Sequence, residues 1–451
     1  MKENRKVPNK GTQNEEEQKK TRLFQRRLDA ALDGLIISDR YTVDTKGVKN
    51  NDNDVIIGEM PFWVSAYIHD EDGTNWSVRI SGFTRKKKLI HLELEMGDLK
   101  TKIIQVTYDL STAVFWIANC SGKALLDYFE SFRKVPHLIR ARRTGWLNDR
   151  LVFVLRDHAI GDESIKLDFT TLSNSKHLAG MRSQGSLDDW KKNVAKSSRE
   201  YPVLVAAITA AFAGPLIHLL NGETFGLHIK GPSSSGKTTA ARLAASVWGA
   251  TGTGGNGPSM LMTFNQTGNA LEKSCKSRNG MIMVLDELGS YGGDDFGELI
   301  YKISMGVSKE KLFSNSDSQE TYEWQFVYFT TGELTVAEMV KKSKKVSTIK
   351  AGQSTRLLNI DTEKTIIVSN GEKEARIIAE DLVKEAGQFY GTAGPAFVEG
   401  LINELNSENY TKEMLCDAWS DLAKQLSKSN LESHQNRAIR NLALIALAGI
   451  I

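Results

Sequence analysis

Residues 1–21 carry no apolar spacing, whereas from residue 23 to residue 36 hydrophobic side chains recur at helical intervals. A polar stretch, 39–54, reads as a loop. Alternation with a period of two then takes over at 62–68, 76–80 and 89–94, and Asp72-Gly73 supplies a hairpin turn between the first two runs. Helical spacing returns over 111–119 and 123–133, and strand character at 150–155. These patterns predict an α+β N-terminal domain over 23–185 behind a disordered tail, 1–22. Residues 173–186 are rich in Ser, Gly and Lys, and Ser186 stands where it would cap a helix opening with Asp188, Asp189 and Trp190. The domain boundary is placed there. From Phe225 the pattern becomes strand, Gly-rich loop, helix, then apolar runs separated by helices, the rhythm of a parallel α/β sheet over 186–362. Residues 363–451 read as a helical C-terminal lid, and the apolar run 443–451 stops in mid-pattern, as a truncated end would.

One run, 203–220, is apolar enough to raise a membrane span. It is Ala-rich, contains Gly214-Pro215 and His218, and leads straight into the Gly-rich loop, so a buried helix beside that loop is expected and no membrane partner. The tail has no apolar signal region. Cys120, Cys275 and Cys416 lie far apart without ligand spacing, which excludes a disulfide framework and a zinc site and fits a reducing cytoplasm. With 58 Lys plus Arg against 55 Asp plus Glu, the formal charge of +3 by itself says little about polyanion binding, so any nucleic-acid contact has to come from local clusters.

The strongest chemistry lies at 231–238, GPSSSGKT, which satisfies G-x-x-x-x-G-K-[ST] between a strand, FGLHIK, and a helix, TTAARLAASVW. Gly231, Pro232, Ser233, Ser234, Ser235 and Gly236 form a loop whose N–H groups can turn onto phosphates. Lys237 neutralises the β and γ oxygens, Thr238 offers a hydroxyl to Mg²⁺, and Thr239 follows in the helix whose positive end faces the anion. About fifty residues on, MIMVLDE places Asp286 and Glu287 at the end of an apolar strand. Asp286 suits Mg²⁺ and Glu287 suits a base for an attacking water, which favours ATP hydrolysis over transfer to a small molecule. A third apolar run, 325–329, ends in Thr330-Thr331-Gly332-Glu333. Thr331 is preferred over Thr330 for a contact to the γ-phosphate, with a helix N-cap as the alternative. Arg356 precedes the apolar run 357–360, where it could reach a neighbouring subunit's nucleotide or serve as an ordinary surface arginine.

These elements in this order resemble AAA+ ATPases. The chain more closely resembles the domain-of-unknown-function family 927, through Gly145-Trp146, GPSSSGKTTA, LDELG, WQFVYFTTGE, AGQSTRLLNI and the string YGTAGPAF at 390–397. That resemblance implies an α/β P-loop AAA+ core with a parallel sheet, similar to the self-loading MCM-like helicases of phages and mobile genetic elements. It further implies a hexameric homo-oligomer that binds ATP and Mg²⁺ and acts on single-stranded or forked DNA. Carried over, Lys237, Thr238, Asp286 and Glu287 form the nucleotide motifs, Thr331 the first sensor, Arg356 the finger, and Arg437 or Arg440 a second sensor. Residues 309–322 take the place of a pore hairpin, although Glu310, Asp317 and Glu320 outnumber Lys309 and Lys311 there. Basic clusters at 85–88, at 140–143 near Trp146, and at 341–345 could bind phosphates, with the aromatic stacking on a base, or form solvated faces. A nucleotide-switched assembly ATPase that moves no DNA is the alternative function.

Overall fold

The computed structural model describes residues 10–112, 117, 121–147, 150–253, 257–265, 268–293, 296–308, 323–342, 356–362, 365–369, 371–407, 409–427 and 431–451. They belong to two compact units, Met1–Arg140 with Ser164–Asp168, and Ala141–Glu163 with Phe169–Ile451.

The first unit opens with helix α1 (Lys10–Leu32), which begins well ahead of the periodic stretch. Residues 10–22 are therefore helical where the sequence reads as disordered tail. Their Glu, Gln and Lys are strong helix formers that need no apolar stripe to propagate a helix already anchored by Phe24 and Leu28 in the core. Five strands form one sheet: β1 (Phe62–His69), β2 (Ser77–Phe83), β3 (Leu89–Glu95), β4 (His137–Arg140) and β5 (Leu167–Asp168). Their order is β5-β4-β1-β2-β3. The β1–β2 hairpin turns at Asp72-Gly73 as the sequence predicts, Gly73 having φ 78°. Helix α2 (Gly122–Glu130), capped by Ser121 Oγ on Ala124 N at 3.2 Å, packs its Tyr128 and Phe129 against Phe62.

The second unit starts at Ala141, so residues 141–163 and 169–185 belong to the Gly-rich loop's unit. Thr144 supplies the physical reason. Its hydroxyl donates to Ser277 O and Asn279 O at 3.1 and 2.9 Å, and Asn279 Nδ2 donates to Thr144 O at 2.7 Å. Gly145, at φ 94°, lies so close to Asn279 that a Cβ would stand 2.7 Å from its Nδ2. Short strands 145–146, 152–154 and 159–161 follow as an antiparallel sheet.

The main sheet of this unit has five strands: β6 (Phe225–Lys230), β7 (Leu261–Thr263), β8 (Ile282–Asp286), β9 (Val327–Gly332) and β10 (Leu357–Asp361). Every pairing is parallel and the order is β7-β8-β9-β6-β10. The last-made of the three central strands, β9, thus lies between β6 and β8. Helices α3 (Pro202–Leu219) and α4 (Lys237–Ser246) pack on the sheet, and α5 (Gly268–Ser277), α6 (Phe296–Met305) and α7 (Val336–Lys342) contribute to a separate core with Met283, Leu285 and Tyr328. The region from 372 onward is helical: α8 (Glu372–Gln388), α9 (Ala393–Asn406), α10 (Lys412–Leu426) and α11 (Ser433–Ile450).

Among the described residues α3 is the one helix long and apolar enough to span a membrane, and most of it is buried inside the unit. Pro215 interrupts its ladder by leaving Ala211 O without the amide donor four residues on. The indole of Trp248, just beyond α4, fills that gap with a 2.8 Å bond to Ala211 O, and Trp146 Nε1 donates to Pro215 O at 2.8 Å. The 390–397 string closes the C-terminal end of α4. Gly391 N donates to Ser246 O at 2.7 Å and Gly394 N to Val247 O at 2.9 Å, satisfying carbonyls that a helix C-terminus leaves open.

Candidate active site

The loop between β6 and α4 needs two left-handed residues, Ser234 at φ 61° and Gly236 at φ 96°. Gly236 carries that conformation without a Cβ penalty and directly precedes Lys237. The loop curls around its own lysine: Lys237 Nζ donates to Gly231 O at 2.8 Å and to Pro232 O at 2.5 Å. Lys237 is buried, and loss of solvation pulls its pKa down, opposed by the charges of Glu333, Glu287 and Asp286. A cation kept off water, bonded to two carbonyls and lying in the field of three carboxylates, is poised for a multiply charged anion. Gly231 serves packing: a Cβ there would stand 2.3 Å from Thr362 Oγ1.

The insertion of β9 between β6 and β8 sets the remaining geometry. Thr331, near the end of β9, donates its hydroxyl to Asp286 Oδ1 and accepts from Glu287 N at 3.1 Å. Thr238 Oγ1, from the first turn of α4, lies 3.5 Å from the same carboxylate oxygen. Glu287 has φ 58°, a conformation disfavoured for a side chain of its size, and its carbonyl accepts from Ser290 N and Oγ at 3.0 and 2.7 Å. Backbone strain is thus held by hydrogen bonds on both sides of the exposed Glu287 carboxylate. Thr330 points elsewhere, to His228 Nδ1 at 2.7 Å, while His228 Nε2 lies 3.0 Å from Leu334 O. Because a carbonyl only accepts, Nε2 carries the proton and Nδ1 accepts from Thr330. Burial lowers the His228 pKa to about 4. The N-cap of α7 is Thr335, in a reciprocal box with Glu338, so neither Thr330 nor Thr331 caps it.

Pro232, Ser233, Ser234, Ser235, Gly236, Lys237, Thr238, Thr239, Asp286, Glu287 and Thr331 line one cavity of about 950 Å³. Glu333 and Arg376 line it too, and no motif in the sequence singled either out for the site. Arg356 lies elsewhere. The register pairs Gly226 with Leu357 and Lys230 with Asp361, which puts Arg356 beside the start of β6, at the sheet end opposite the phosphate loop. Its guanidinium covers the Tyr301 ring at 5.0 Å. Arg437 and Arg440 are not brought to the cavity either: Arg437 is 3.7 Å from Glu223, and Arg440 lies over Trp419 at 4.4 Å. Both arginines belong to α11, whose apolar face is tied to α3 and α10.

The basic clusters also sort themselves. Arg140 is turned inward onto Asp70, Ser77 and Glu93, and Trp146 is buried with its N–H on Pro215, so this pair is not an exposed stacking surface. Arg85 pairs with Glu59 at 2.7 Å, while Lys86, Lys87 and Lys88 are exposed on the β2–β3 turn. Lys341 and Lys342 end α7; residues 343–345 and the hairpin expected at 309–322 lie outside the described residues.

Among the described residues no three His, Cys, Asp or Glu converge as a metal cluster. The donor set is instead the Thr238 hydroxyl and the Asp286 carboxylate, hard oxygens suited to Mg²⁺ that would arrive with phosphate oxygens of its own.

The family described as Domain of unknown function (DUF927) matches residues 38–319. No curated protein matches. A solved structure titled "SCCmec type IV Cch - active helicase" aligns with a TM-score of 0.68 at 20% identity, over 92% of this chain and 73% of that one. The chain therefore shares the fold of that protein: mixed α/β with a parallel sheet and a helical C-terminal region.

Proposed function

The chain belongs to the DUF927 family, and on that footing we propose that it is an AAA+ ATPase that drives a ring helicase on DNA during replication of a phage or mobile genetic element. The observation carrying this reading is the meeting of Thr238, Asp286, Glu287 and Thr331 beside the Lys237 loop, with β9 inserted between the phosphate-loop strand and the acidic strand. A kinase acting on a small molecule has no need of the second carboxylate. The shared fold with a solved helicase from a mobile element supports the same direction.

Each residue then has a task. Lys237 exchanges its loop carbonyls for the β and γ oxygens of ATP, and the loop N–H groups bind the remaining charge. Thr238 and Asp286 would hold Mg²⁺, which when bound neutralises charge on the phosphates. Glu287 orients the attacking water and takes its proton. Thr331 holds both acids in place: it bonds the Asp286 carboxylate and fixes the backbone from which Glu287 projects. Arg356, facing away from its own site, acts on a neighbouring subunit.

The first test is hydrolysis of Mg-ATP with and without single-stranded DNA. Lys237→Ala should weaken nucleotide binding, whereas Glu287→Gln should bind ATP and turn it over at least about 10²-fold more slowly. Undiminished turnover in Glu287→Gln would remove the base from this scheme. The inward-turned Arg140 and Trp146 favour a second reading, a nucleotide-switched assembly ATPase without DNA unwinding. Hydrolysis that ignores DNA and forks that stay closed under ATP would select it.

A further inference from the structure

The phosphate end of the cavity is specified by motifs; its other end is built by residues 365–369 and 371–379, which carry none. Residues 365–369 cross the phosphate loop. Ile366 N donates to Ser235 O at 2.8 Å, Thr365 Oγ1 lies 3.5 Å from the same carbonyl, and Ile366 Cβ stands 3.6 Å from where a Cβ on Gly236 would be. Ser369 Oγ donates to Gly371 O at 2.8 Å and secures the far side of this strap. Ile367 faces inward and is buried, but Val368 is 78% exposed although it lines the cavity. A β-branched side chain on a strap fastened to the phosphate loop at Ser235 has few rotamers to lose, so it offers preorganised apolar contact.

From α8 the cavity takes Ala375, Arg376 and Ala379. Positions 375 and 379 are one turn apart on a single helix face, and their small side chains leave room there. Arg376 Nε reaches Glu380 at 3.2 Å, an exposed i,i+4 pair of the weakly held sort. That contact uses the guanidinium edge and leaves its planar faces open, and such faces stack readily on aromatic rings. A nucleoside triphosphate seated by its phosphates on Lys237 has one flat aromatic group to place. We infer that Val368 and Arg376 hold the nucleobase, Val368 by apolar contact and Arg376 by stacking. This rests on the reading of the phosphate loop above and extends it to the part of the ligand that the motifs do not touch.

The test compares Mg-ATP with magnesium tripolyphosphate, which offers the phosphates and no base. Binding of both is measured to the full chain and to Val368→Ser and Arg376→Ala, after melting temperatures show that the variants fold. Each variant should bind ATP about tenfold more weakly, raise KM with kcat nearly unchanged, and bind tripolyphosphate as the parent does. Parallel loss of ATP and tripolyphosphate would make Arg376 a phosphate ligand and overturn the inference, as would unchanged ATP affinity. If the parent binds ATP no better than tripolyphosphate, no base site exists here. If the parent binds neither, and Lys237→Ala changes nothing, the reading of the phosphate loop fails and the base site with it.

Discussion

Two adjacent threonines at the end of β9 divide their work by the alternation of a strand. Thr331 belongs to the acids and Thr330 to His228, a split that the letters TTGE suggested only through preference for one of them. Thr331→Val keeps the shape and removes both hydrogen bonds. It should lower kcat by about 10–100-fold with little change in ATP affinity, and Thr331→Ser should recover most of the loss, in steady-state assays. His228 gives a pH prediction. Its ring is neutral when folded, with a pKa lowered to about 4, whereas in the unfolded chain it takes a proton below about 6.5. The unfolded state therefore binds more protons between those values. Stability from this group is complete above about pH 6.5 and declines as pH falls toward 4, by an amount on the order of 3 kcal/mol. Melting curves across that range should be flatter for His228→Gln, which keeps a donor for Leu334 O. Motif residues were legible because a phosphate loop is local in sequence. Arg376 and Glu333 were not, because only the folded strap and strand end bring them to the cavity.

At the scale of elements, the apolar helix α3 was legible as buried, since Gly214 and Pro215 suit a packed helix near a Gly-rich loop. What the sequence does not say is how its broken ladder is repaired. Trp248→Phe leaves Ala211 O buried without a donor, which costs about 1–3 kcal/mol beyond the packing change. Pro215→Ala restores a backbone N–H four residues along. Urea unfolding of the two single variants and the double should therefore show coupling, with Trp248→Phe less harmful in the Pro215→Ala background. The extent of α1 was illegible for a different reason: residues 10–22 have helix-forming composition without a stripe, and periodicity sees only stripes. The start of the second unit was missed because Thr144 and Asn279 are 135 residues apart, and nothing local announces their bonds.

At the scale of the whole molecule, Arg356 sits at the far end of the sheet from the phosphate loop of its own chain, so its use as a finger requires a second subunit. Arg356→Ala and Lys237→Ala, each inactive alone, should regain part of the ATPase activity when co-assembled, because some interfaces then combine an intact Lys237 with an intact Arg356. A mixture of proven co-assembly that stays inactive at every ratio, or an Arg356→Ala protein with parental turnover, would return this residue to a structural role. The family match ends at residue 319, ahead of both Thr331 and Arg356, so the chain's membership alone says nothing of either. The strand order has a further consequence, during synthesis. A nascent chain holds β6 and β8, with the Lys237 loop following the one and Asp286 ending the other, before it holds the strand that must lie between them. At elongation rates of about 5–20 residues per second, the roughly 45 residues from Asp286 to Gly332 take about 2–9 s to appear. For those seconds two parallel strands expose edges that cannot pair with each other in the native register, and each such edge can recruit a strand from another ribosome's product. A chaperone that covers these edges should raise the yield of soluble protein, which expression with and without added chaperone measures.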